Sequence, residues 1–129
     1  MSVWSLALRR DAPASIPEVT ALLRAVQTGD PIYTTGLVLQ ELLQGFAGPK
    51  ARDLILDKFS ALPAISPDRR DHIDAARISV ACRRAGVQAG TIDALIAQLC
   101  IRHSLTLLTT DKDFTRIAQL TSLRLWQGD

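Results

Sequence analysis

The sequence predicts an α/β domain with a mainly parallel sheet flanked by helices. Helix-period segments alternate with short apolar runs along the chain, and prolines stand where several helices would begin. The segment from Thr91 to His103 is apolar nearly all round, as a helix packed inside such a domain must be. At 129 residues, with 47% hydrophobic and 22% charged residues, the chain is expected to form one domain, 1–129, around a single core.

The elements follow in order. Val3 to Arg10 reads as a helix, and Pro17 opens a second that runs to Gln27. Ile32 to Thr34 fits a short strand. Gly36 to Phe46 is amphipathic, with Val38, Leu39, Leu42, Leu43 and Phe46 on one apolar arc. Pro49 to Ala61 is a proline-led helix, followed by a strand over Leu62 to Ile65. Pro67 to Ala85 is a longer helix. Its Arg69, Arg70, Arg77, Arg83 and Arg84 read most simply as a solvated face, although arginine suits phosphate contact. The apolar helix Thr91 to His103 precedes a strand over Leu105 to Thr109, a helix over Asp113 to Gln119 and a strand over Leu123 to Trp126. A doubly wound domain normally opens with a strand; this chain opens with Met-Ser-Val-Trp-Ser-Leu-Ala-Leu-Arg-Arg, a helical pattern.

Composition excludes several classes. A formal net charge of +2 fits neither an acidic tail nor a strongly basic nucleic-acid coat. The nearly apolar stretch from Ala94 to Ile101 is broken by Gln98 and is far too short to span a membrane. With no basic start and apolar block at the N-terminus, the cytoplasm is the expected compartment. Cys82 and Cys100 are expected as buried thiols, since two cysteines make neither a zinc site nor a disulfide framework. Neither glycine-rich phosphate loop is present, no serine lies in a nucleophile elbow, and His72 and His103 lack partners for triad chemistry.

Ligands of open parallel sheets bind at the carboxyl ends of the strands, and acids gather there. Glu41, one of two glutamates, lies in the helix after the first predicted strand, near Leu37 and Gln44 and off the apolar arc. Asp93 sits in the apolar helix between Ala97 and Cys100, on the side away from Gln98 and Arg102. A carboxylate there needs a partner or a cation, unless Thr91 caps the helix and Asp93 only occupies its first turn. Asp111 ends the run Leu107-Leu108-Thr109-Thr110, and Asp113 fits the cap of the next helix. Converging carboxylates suit Mg²⁺ or Mn²⁺, hard cations that prefer oxygen ligands and serve phosphodiester cleavage.

These residues resemble the PIN-domain ribonucleases, and among them the VapC toxins of bacterial toxin–antitoxin pairs. The resemblance covers essentially the whole chain. It rests on Thr-Thr-Gly-Leu-Val-Leu-Gln-Glu-Leu-Leu-Gln-Gly around Glu41, Thr-Ile-Asp-Ala-Leu-Ile-Ala around Asp93, and Leu-Leu-Thr-Thr-Asp-Lys-Asp-Phe around Asp111. It implies a PIN-like fold and an Mg²⁺- or Mn²⁺-dependent endoribonuclease. Glu41, Asp93 and Asp111 would be its catalytic metal-site acids, with Asp113 an additional ligand. It further implies an RNA substrate, a homodimer and a VapB-type antitoxin that holds the protein inactive. The family usually opens with a central strand ending in Asp-Thr/Ser-Ser/Ala-Val-Trp, and Ser2, Val3 and Trp4 match from just after that Asp. The first strand and its Asp are therefore missing from the matched pattern, and Asp11 lies too far along to replace it. A degenerate PIN domain that binds an antitoxin without cleaving RNA is the alternative reading.

Overall fold

The structure, a computed structural model, describes residues 2–9, 14–46 and 48–128. Arg10 and Asp11 lie outside the described residues, but the first helix ends earlier than expected, at Ala7, because Leu8 leaves the helical backbone. The backbone divides into two compact units, Met1–Ser66 and Pro67–Asp129.

The first unit contains α1 (Val3–Ala7), α2 (Pro17–Thr28), β1 (Thr34–Thr35), α3 (Gly36–Gly45), α4 (Pro49–Ser60) and β2 (Ala64–Ile65). Proline stands at the first position of α2 and of α4, where its missing N–H costs no helical hydrogen bond. Gly29 ends α2 in the left-handed region at φ +73°, which a residue without Cβ adopts freely. β1 runs directly into α3 because the Thr35 hydroxyl accepts the Val38 N–H at 3.3 Å and caps the helix. Leu42, Ile55 and Phe59 form a buried cluster, and Val38, Leu39, Leu43 and Phe46 pack on it, so the apolar arc read from the sequence faces the core. Trp4 closes the cluster, its ring centroid 5.1 Å from that of Phe59 at a 56° tilt that suits the ring quadrupoles.

The second unit contains α5 (Arg69–Arg84), α6 (Thr91–Arg102), β3 (Thr106–Leu107), α7 (Lys112–Leu120) and β4 (Arg124–Leu125). α5 starts at Arg69 rather than Pro67, because Asp68 is its cap: the Asp68 carboxylate accepts the Asp71 N–H at 2.9 Å, and Asp71 accepts the Asp68 N–H at 3.0 Å. Ala94, Leu95, Ala97, Leu99 and Cys100 of α6 are buried, as its composition predicts. Cys82 and Cys100 are both free, buried thiols.

The strands pair in parallel, β1 with β2 and β3 with β4, placing Thr35 opposite Ile65 and Leu107 opposite Leu125. Among the described residues these are two short ladders rather than one wide sheet. Three of the expected strands are shortened at their starts for one reason. The leading N–H closes the structure before it: Leu62 donates to Phe59 O, Leu105 to Cys100 O, and Leu123 to the Thr121 hydroxyl. No helix among the described residues is long and apolar enough to cross a membrane.

Candidate metal centre

Asp93, Asp111 and Asp113 converge within the second unit, each offering a carboxylate oxygen within 4.8 Å of the others. Asp93 and Asp111 are half-buried and Asp113 is exposed.

Two helix starts build this cluster. Asp93 lies in the first turn of α6, where the helix dipole favours a negative charge. The alternative in which Thr91 caps this helix does not hold. The cap position belongs to Gly90, in extended conformation and without a side-chain bond, so Thr91 is already the first helical residue. Asp111 is the cap of α7 and accepts the Asp113 N–H at 2.9 Å, while its own N–H donates to the Thr109 hydroxyl at 3.1 Å. The sequence placed this cap at Asp113; the structure moves it two residues earlier, because Asp111 has the extended backbone a cap requires. Asp113 is thereby left in the first turn, its carboxylate available to the cluster.

Electrostatics explains what such a group can hold. Two unit charges about 4–5 Å apart repel by roughly 3–4 kcal/mol at an effective dielectric near 20, and by less where water reaches them, as at Asp113. A divalent cation reverses the sign of that energy. The donor set, carboxylate oxygen alone, suits Mg²⁺ or Mn²⁺ better than a softer metal. Glu41 belongs to the first unit, where it is exposed on α3 next to the buried Leu42.

Sequence reasoning missed a second polar centre. Asp71 on α5 is wholly enclosed and pairs with Arg102 Nε of α6 at 2.7 Å, and the buried Gln98 amide donates to it at 3.4 Å. Burial pushes the Asp71 pKa up, but the Asp68 backbone N–H, the Arg102 guanidinium and the Gln98 amide together outweigh it and hold the carboxyl below its ordinary value. Gln98 and Arg102 thus occupy one side of α6 while Asp93 joins the acidic cluster. The available signal was Asp71 three residues after Asp68, the spacing of a capping box.

The sequence profile of the PIN domain matches residues 2–120, a span that runs through both units. Ribonuclease VapC11 of Mycobacterium tuberculosis and VapC ribonuclease Mb1587 of Mycobacterium bovis are each 36% identical to this chain over 127 residues, covering 95% of it and 92% of the relative. Among solved structures, FitAcB from Neisseria gonorrhoeae matches 97% of this chain and 92% of its own at a TM-score of 0.69 and 20% identity. VapBC2 from Rickettsia felis, bound to a DNA fragment from its promoter, matches 87% and 86% at a TM-score of 0.67 and 22% identity. At those identities the two structures speak for the fold alone.

Proposed function

Because this chain belongs to the PIN-domain family, and within it to the VapC ribonucleases, we propose that it is a toxin endoribonuclease that cleaves RNA phosphodiesters with a divalent cation and is neutralised by a VapB-like antitoxin. The observation that carries the catalytic part is the convergence of Asp93, Asp111 and Asp113. These three would hold Mg²⁺ or Mn²⁺, with Glu41 as the further acid that the family motif supplies. The cation, when bound, polarises the phosphodiester and lowers the pKa of a water.

The chain's own residues do the rest. Asp93 and Asp111 stand at two helix starts, which set their backbones in place before any ligand arrives. Asp111 is held on both sides, by the Thr109 hydroxyl at its N–H and by the Asp113 N–H at its carboxylate. Lys112 lies exposed between two of the acids, where its ammonium can meet a phosphate flanking the scissile one. Substitution of Lys112 by alanine should therefore raise KM more than it lowers kcat.

The direct test is RNA cleavage by the purified chain with Mg²⁺ or Mn²⁺ and with chelator, repeated for Asp93→Asn. Loss of cleavage with chelator and in the variant supports this reading, and metal-independent cleavage contradicts it. The antitoxin part rests on the VapC likeness and is tested by coexpression with the product of an adjacent small gene. That product should co-purify and suppress cleavage. The proposed setting is the cytoplasm, with the toxin as a homodimer.

A further inference from the structure

The arginine-rich helix α5 has a second face that the proposed chemistry does not use. Ile73 and Val80, seven residues apart, stay 43% and 38% exposed, and the exposed Ala76 lies between them at helical spacing. Seven-residue spacing with a small residue midway is the seam pattern by which one helix receives another. A shallow groove of about 310 Å³ runs along this face over Val80, Ala76 and Ala81. Its walls are Arg77 and Arg84.

The charges around the seam are nearly all of one sign. Arg70, Arg77 and Arg84 recur every seven residues along one side, and Arg69 and Arg83, each seven residues from Ala76, stand at the two ends of the seam. The half-buried Asp74 pairs with Arg70 at 3.2 Å and with Arg77 at 3.1 Å. These pairs hold the two guanidiniums in place, yet their side chains remain 65% and 68% exposed and keep donors to spare. The other acid of this helix, Asp71, faces inward and is committed to Arg102.

From this geometry we infer that the outer face of α5 docks an acidic amphipathic helix of another polypeptide, with small apolar residues in its seam and glutamate or aspartate along its flanks. A second copy of the chain fits poorly, because it would set this arginine rim against itself. RNA fits poorly too: the floor between the arginines is aliphatic, and α5 carries no Phe, Tyr or Trp on which a base could stack.

The test uses the full chain and a fluorescent three-heptad synthetic helix with leucine and alanine in the seam and glutamate on both flanks. The glutamate helix should bind at least about tenfold tighter than its lysine analogue, with affinity falling as salt rises. Val80→Asp should weaken binding by about tenfold or more through the seam. The double variant Arg77→Glu with Arg84→Glu should reverse the preference toward the lysine helix, a rescue that misfolding cannot produce. Equal or absent binding of the two helices overturns the inference. So does an oligouridine probe that binds here and is lost in the arginine variants, or a dimer seen by sedimentation and abolished by Val80→Asp.

Discussion

Asp71 shows at the scale of one residue how this protein keeps a charge inside. Its carboxylate is wholly enclosed, yet the bonds from Asp68, Arg102 and Gln98 hold it ionised and tie α5 to α6. Because the folded-state pKa lies below the unfolded value of about 3.9, the unfolded chain binds more protons near that pH, and stability rises with pH there. The contribution is complete above the unfolded value and is lost as pH falls through the folded one. Asp71→Asn should cost about 2–4 kcal/mol at neutral pH in urea unfolding, toward the low end for a broken buried pair because Arg102 is 37% exposed and water can replace its partner. The difference between the variant and the parent should shrink below about pH 4. Cys100 is the opposite case. Burial pushes its thiol up to about 11, so native protein at pH 8 should resist alkylation and react only as fast as it opens. Rapid stoichiometric labelling of the folded chain would contradict that burial.

Among the elements, α7 has its cap within the acidic cluster. Asp111 is both its cap and a member of the acidic cluster, and the two roles separate by substitution. Asparagine caps about as well as aspartate, so Asp111→Asn should melt near the parent without metal but lose the rise in melting temperature that Mn²⁺ gives the parent. Asp111→Ala should also lose about 0.5–2 kcal/mol of stability without metal. Equal Mn²⁺ responses in the parent and Asp111→Asn would remove Asp111 from the site. The helices were legible because proline at Pro17 and Pro49 and the apolar arc of α3 are local signals. Caps were less so: Asp111 against Asp113, and Gly90 against Thr91, differ only in backbone angles that composition does not encode. Strand lengths were not legible either. Whether the N–H of Leu62 or Leu105 joins a ladder or closes the preceding helix depends on tertiary geometry.

In the molecule as a whole, the motif around Asp93 and the motif around Asp111 lie about eighteen residues apart in sequence, and the fold brings their acids within 4.8 Å. Asp93 stood out in the sequence as a carboxylate in an apolar helix, and Asp111 as the acid that follows a short strand. The Asp71–Arg102 pair was not legible, because nothing in an arginine-rich helix and an apolar one announces which polar groups face inward. The central claim is that the Asp93, Asp111 and Asp113 cluster holds the cation with which the chain cuts RNA. It is tested most directly by measuring Mn²⁺-dependent cleavage of RNA by the parent and by Asp93→Asn in the same preparation, with the fold of each verified by thermal melting. The expected result is cleavage that stops with chelator and falls in the variant by at least the roughly 10–100-fold that loss of a supporting contact to a metal site costs, at an unchanged metal-free melting temperature. Equal, metal-dependent cleavage by both proteins, or no cleavage by a folded parent with Mn²⁺, would contradict it.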